Sequence, residues 1–287
     1  EQQAAITAPL APARIVAGAG TGKTTVMAAR VGWLIATGQV TPESVLGLTF
    51  TTKAAAELAS RVRSLLPGVA RLVGQDPHAP ALAVPTISTY NAFGARLLRE
   101  HALRIGIEPD SRVVVDALRF QLGYRVIANT AAELGAVGYT PTTALTDMLK
   151  LDQALASYLI DPEAVITGEA QLVAKYDDSE AGDIQQRMVA TSRKRQALAQ
   201  VVAEYRTAKI DHDLIDYSDQ IRLAAHAART SPTMRAMLRE QYSVVLLDEY
   251  QDTSVAQKEL LAQLFADGFP VMAVGDPCQA IYRWRGA

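Results

Sequence analysis

Cysteine is almost absent: Cys278 is the only one in 287 residues. An internal disulfide is therefore excluded, and the composition fits a reducing, cytoplasmic setting. Histidine is nearly as sparse. His78, His101, His212 and His226 are scattered and offer no metal-ligand spacing. Aromatics make up 6% of the chain, so each one outside a core pattern carries information. An excess of one charge is missing too, with a formal net charge of −2. That excludes a global field of the kind that draws in nucleic acid, and any such binding must come from a local groove. No run of about 18 or more apolar residues suggests a membrane span. The start carries no signal-peptide pattern. No repeat or low-complexity tract is visible. What is plentiful is apolar residue, 49% of the chain, enough for a substantial core in one large or two ordinary domains. The chain opens at Glu1 without methionine and stops at Ala287 just after a motif, which reads as a piece of something longer.

One stretch organises the rest, Arg14-Ile-Val-Ala-Gly-Ala-Gly-Thr-Gly-Lys-Thr-Thr25. It begins as an apolar strand over 14–17, turns through glycines and enters a helix at Lys23. Gly18, Gly20 and Gly22 leave backbone N–H groups free to point inward at the helix N-terminus, an anion site suited to phosphates. Lys23 can reach the β- and γ-phosphates, and the Thr24 hydroxyl can ligate Mg²⁺. The binding loop is thus Ala17, Gly18, Ala19, Gly20, Thr21, Gly22, Lys23, Thr24 and Thr25, with Ala17 where the P-loop template has its first glycine.

Further along, Val45–Phe50 reads as a buried strand. Residues 53–66 read as a helix stopped by Pro67-Gly68. A loop over 68–85, a short strand at 86–88 and a helix over 90–104 follow. Strands alternating with helices imply an α/β fold with a parallel sheet covered on both faces. From about 109 to 205 the pattern turns helical, with segments near 117–130, 142–160, 162–175 and 184–208. This reads as an all-helical insert that divides the sheet domain into 1–108 and 206–287. The basic cluster Ser192-Arg-Lys-Arg195 reads as a solvated helix face. Ser243–Leu247 is then an apolar strand ending in Asp248-Glu-Tyr-Gln-Asp252. A helix over 255–265 and a strand over 270–274 close the chain. Asp248 and Glu249 sit at the carboxyl end of their strand, the edge where open α/β sheets bind ligands. Such a pair suits metal-assisted hydrolysis, with Asp248 holding Mg²⁺ and Glu249 taking a proton from the attacking water. Gln279 follows the next strand, where a polar side chain can sense a γ-phosphate.

The ordered motifs Ala17–Thr24, Leu48-Thr-Phe-Thr-Thr-Lys-Ala-Ala55, Ser88-Thr-Tyr-Asn91, Val245–Thr253 and Val274–Ala287 resemble those of the first RecA-like domain of UvrD/Rep-like superfamily 1 DNA helicases. Their wording is most similar to the motor subunits of actinobacterial helicase–nuclease machines. The resemblance covers both ends of the chain; the middle corresponds to that family's helical 1B insertion. It implies an ATP- and Mg²⁺-dependent motor on single-stranded DNA, 3′→5′, in repair or recombination. It also implies a second RecA-like domain beyond this stretch and a partner motor or nuclease subunit. By the same resemblance Gln2 reads adenine, and Phe50, Thr51, Tyr90, Asn91, Tyr282, Trp284 and Arg285 meet DNA. Tyr90 and Asn91 stand where the family usually has Phe and His. Asp216-Tyr-Ser-Asp219 resembles the acidic motif where the chain re-enters the first domain, or is simply a helix cap. Two other readings stay open. A P-loop ATPase of another class would not need Phe50, Tyr282 and Trp284 on one face. A non-enzymatic single-strand binder would show damage at Lys23, Thr24, Asp248 or Glu249, and all four are present.

Overall fold

The structure, a computed structural model, describes residues 1–18, 20–74, 83–177 and 182–280. The chain forms two compact units, Glu1–His101 with Leu223–Ala287, and Ala102–Arg222.

The first unit is built on a parallel sheet. It opens with a short helix α1 (Gln2–Ile6), strand β1 (Ala13–Val16) and helix α2 (Lys23–Ala36). Strand β2 (Val45–Thr49), helix α3 (Thr52–Leu72), strand β3 (Thr86–Thr89) and helix α4 (Tyr90–His101) follow. The second unit then contributes β4 (Arg112–Val113), α5 (Asp116–Asn129), α6 (Pro141–Tyr158), α7 (Pro162–Tyr176), α8 (Asp183–Asp211) and β5 (Leu214–Ile215). Helix α9 (Tyr217–Thr230) leads back to α10 (Pro232–Gln241), β6 (Val244–Leu247), α11 (Val255–Leu264) and β7 (Val271–Gly275).

The sheet order is β1-β7-β6-β2-β3, every pairing parallel. The two apolar runs without alternation become its middle. Every residue of β2 and of β6 is buried, as a strand covered on both faces requires. On one face Met27, Val31 and Leu34 of α2 and Leu58, Val62 and Leu66 of α3 pack with Val45, Val244, Leu246, Met272 and Val274.

Helix α3 overruns its expected stop. It continues through Pro67 and Gly68 to Leu72. Proline forfeits one helix hydrogen bond, yet Leu66, Val69 and Ala70 are buried on this last stretch. Leu65 and Val69 lie against Gly32 of α2. Past the proline, burial of Val69, worth about 1.5–3 kcal/mol, with Ala70 beside it, offsets much of a loss of about 3 kcal/mol.

The helical unit has its own core of Leu122, Met148, Leu149, Leu198, Val201, Val202 and Tyr205. Helix α6 starts on a reciprocal Thr140–Thr143 cap with Pro141 in its first turn. This unit is larger than the helical stretch at 109–205. Helix α8 runs unbroken to Asp211, and β5 pairs with β4, so residues up to 222 pack with it. At its heart lies a buried ionic cluster. The Lys209 Nζ reaches Asp152 Oδ2 at 3.1 Å, Asp216 Oδ2 at 2.9 Å and Asp219 Oδ2 at 2.7 Å. Arg206 joins Asp152 at 2.7 Å and Arg222 joins Asp219 at 2.8 Å. Asp216 also accepts from the Ser218 and Asp219 N–H groups, so it is a helix cap as well. Burial alone would push its carboxyl up; the Lys209 charge and these hydrogen bonds win and hold it at about 2. In the basic cluster, Arg193 pairs with Asp177 and Arg195 with Glu169. That agrees with an ordinary helix face.

Candidate functional site

The phosphate loop leaves β1 and enters α2 at Lys23, as its sequence requires. Gly20 and Gly22 have φ of 74° and 83°, left-handed values that side chains resist. Gly22 is also the N-cap of α2. The Thr21 hydroxyl donates to the Gly18 carbonyl at 2.9 Å, closing the turn on itself. Ala17 and Gly18 are half-buried at the strand end; Ala19 lies outside the described residues. The Gln2 amide donates to the Thr21 carbonyl at 2.9 Å. Thr25 accepts from Arg61 of α3 at 3.0 Å, and Arg61 is held by Glu57 at 2.8 Å.

Two strands away, β6 delivers Asp248 and Glu249 to the same edge. The Lys23 Nζ lies 3.6 Å from the Glu249 Oε2. The loop from one end of the sequence and the acidic pair from the other therefore meet. Glu249 has φ of 48°, an uncommon value for a side-chain residue. This turn lets its N–H donate back to Asp248 Oδ1 at 3.0 Å. Asp248 is 3% exposed. Burial, then the Glu249 charge, push its carboxyl up to about 6 against the pull of Lys23. A buried carboxylate destabilised in this way favours a neighbouring cation. With the Thr24 hydroxyl it offers hard oxygen donors, and a Mg²⁺ ion takes only one or two such side chains besides phosphates and water. The residues fit that ion. Among the described residues no group of three His, Cys, Asp or Glu side chains is placed to hold a metal ion.

Two residues that the sequence did not single out join the halves. Gln251 donates to Glu249 Oε2 at 2.7 Å and accepts from the Asp276 N–H at 2.9 Å. Asp276, just after β7, accepts from Cys278 N–H at 3.0 Å and from the Gln279 amide at 2.5 Å. Those hydrogen bonds, the Gln279 one foremost, hold the Asp276 carboxyl below its usual range. Gln279 thus sits at the site's edge, engaged through Asp276. In the sequence Gln251 lies within Val245–Thr253 and Asp276 within Val274–Ala287, and that placement is the one local signal for either.

The residues expected to meet DNA divide. Phe50 is half-buried and Thr51 exposed at the end of β2, where the Thr51 hydroxyl caps α3 by accepting from the Ala54 N–H at 3.1 Å. Asn91 is exposed and accepts from Gln257 at 3.3 Å. Tyr90 is 3% exposed. Its hydroxyl donates to the Asp248 carbonyl at 3.4 Å and accepts from Thr253 at 3.5 Å. A ring so placed offers no face for a base to stack on, so Tyr90 braces the acidic turn instead. Tyr282, Trp284 and Arg285 lie outside the described residues.

A glycine loop between strand and helix, facing an Asp-Glu pair across a five-stranded parallel sheet, defines a P-loop nucleoside-triphosphatase fold of the RecA-like kind. Within it the chain belongs to the UvrD/REP helicase N-terminal domain family, whose profile matches residues 1–287. Similar proteins include one named "Probable DNA helicase" from Mycoplasma pneumoniae, 31% identical over 287 residues, covering all of this chain and 48% of that protein. ATP-dependent DNA helicase PcrA of Bacillus subtilis is 29% identical over 286 residues, covering 33% of its length. PcrA of Staphylococcus aureus is 30% identical over 287 residues, covering 34%. The chain thus spans between a third and a half of these relatives. No helix among the described residues is long and apolar enough to cross a membrane.

Proposed function

We propose that this chain is the nucleotide-binding half of an ATP-dependent DNA helicase or translocase. The meeting of Lys23 with Glu249 at 3.6 Å carries the reading. In it, the loop amides from Gly18 to Thr25 and the Lys23 ammonium hold the phosphates of ATP. Thr24 and Asp248 hold Mg²⁺, which when bound neutralises phosphate charge. Glu249 accepts the proton of the attacking water, its carboxylate aimed by Gln251. Gln279, tied to Asp276, reports the γ-phosphate to the loop that follows. Gln2 contacts the adenine. Single-stranded DNA crosses the same sheet edge at Phe50, Thr51 and Asn91 and continues over Tyr282, Trp284 and Arg285. The sheet unit, Glu1–His101 with Leu223–Ala287, then acts as domain 1A, and the helical unit, Ala102–Arg222, as an inserted 1B. A second RecA-like domain completes the ATP site, since arginines contributed across such sites are worth about 10³–10⁵ in rate. The motif wording further supports a motor subunit of a helicase–nuclease machine that works 3′→5′ in repair, beside a partner motor or nuclease subunit.

The test is Glu249→Gln in the full-length protein. ATP binding should persist while DNA-stimulated hydrolysis falls by about 10²–10⁴-fold, the usual cost of a lost general base. Near-normal turnover rejects the assignment.

A further inference from the structure

Arg30 is an oddity on α2. It is 2% exposed, yet no carboxylate among the described residues pairs with it. Its guanidinium instead serves main-chain carbonyls. Nη1 donates to Ile6 O at 2.8 Å and to Ala8 O, and Nη2 donates to Pro9 O at 2.9 Å. The Trp33 ring lies 5.3 Å away beneath it. The donors are spread over two terminal nitrogens in a fixed plane, a geometry that the single nitrogen of lysine does not reproduce.

What those carbonyls hold explains the arrangement. Helix α1 has five residues, none of them buried, and its N-cap makes no side-chain bond. Helices shorter than about 12 residues are marginal by themselves. Something outside must fix α1, and Ile6, its last residue, is one of the groups that Arg30 grips. One helical turn upstream of Ile6 is Gln2, whose amide rests on the Thr21 carbonyl at the mouth of the phosphate loop.

We propose that Arg30 is a positioning residue for base recognition: by clamping Ile6, Ala8 and Pro9 to α2 it keeps Gln2 at the rim of the nucleotide site. The inference rests on the reading of Gln2 as the adenine contact. Arg30 itself touches no substrate. It acts through the N-terminal segment, so its loss should lower base selectivity and leave phosphate recognition in place.

The experiment compares Gln2→Ala, Arg30→Met and the double variant in the full-length protein, measuring kcat/KM for ATP and for UTP. Each single variant should cut the ATP-over-UTP preference about tenfold, the factor that one lost hydrogen bond of about 1.4 kcal/mol carries. The double variant should lose no more than either single one, because both act through one contact. If Gln2→Ala lowers selectivity and Arg30→Met does not, the positioning role is overturned while the Gln2 assignment stands. If Gln2→Ala leaves selectivity intact, the Gln2 assignment fails, and this inference with it. Should Arg30→Met not fold, Arg30→Lys keeps the charge without the fork. Amide exchange over residues 2–9 should then rise about tenfold with the thermal midpoint retained; unchanged exchange overturns the role.

Discussion

Gly275, the last residue of β7, separates the placement of the proposed general base Glu249 from the stability of the sheet. A Cβ built there would lie 2.3 Å from the Gln251 Oε1, 3.2 Å from the Tyr250 nitrogen and 3.3 Å from the Gln251 nitrogen. The side-chain oxygen can swing away, while the two backbone atoms must yield by a few tenths of an ångström. The stability loss from Gly275→Ala should therefore be modest, about 1 kcal/mol, the low end for overpacking. The functional loss should be larger. Swinging Gln251 aside breaks its bond to the Asp276 N–H and releases the amide that holds Glu249 Oε2. A catalytic group misplaced by about 1 Å can cost on the order of 10²-fold in rate. In the full-length protein, Gly275→Ala should keep its affinity for an ATP analogue and unfold within a few degrees of the parent. Its kcat should fall by roughly ten- to a hundredfold. Gln251→Ala should lower kcat similarly with no thermal penalty, and the pair together should be far from additive. Unchanged turnover in Gly275→Ala would show that Gln251 does not orient the base.

The buried charges of the helical unit give two further expectations. Asp152 is 1% exposed and holds both Arg206 and Lys209; Asp152→Ala leaves the buried Arg206 without its carboxylate, while Lys209 keeps Asp216 and Asp219, and should cost about 3–5 kcal/mol in chemical denaturation. A loss under about 1 kcal/mol would mean that water reaches Arg206. Asp216 titrates at about 2 in the folded chain against about 3.9 when unfolded. A depressed acid stabilises above its unfolded value, so its contribution, on the order of 2 kcal/mol, should disappear as pH falls from about 4 to 2. Asp216→Asn should flatten that part of the stability–pH curve, and an unflattened curve refutes the assignment.

Features written in adjacent residues were legible from the sequence; those that depend on distant partners were not. The uninterrupted apolar runs at 45–49 and 244–247 announce buried parallel strands because burial on both faces removes any need for alternation. The phosphate loop and the Asp248-Glu249 pair were readable because each is a short segment with its own geometry. Pro67 misled, since local propensity says nothing of the α2 surface that keeps α3 going. Helix α1 has no apolar stripe to announce it, and Arg30, one of its anchors, lies more than twenty residues on. The resemblance sets Tyr90 against DNA, but its burial comes from a turn 158 residues away. Gln251 had neighbours in sequence but gained a role only when Asp276 came beside it.

The sheet order has a consequence for how the chain is made. β2 pairs with β6 in a register that sets Val45 opposite Val244. Closing so long a loop, roughly two hundred residues, comes late in folding. During synthesis β2, with no residue meant for solvent, waits with an unpaired edge while all of the helical unit emerges. That unit, with its own core and its mostly local helix contacts, can condense first. The nascent first unit is therefore the aggregation-exposed partner, and slowing translation between residues 102 and 222 should lengthen its vulnerable interval.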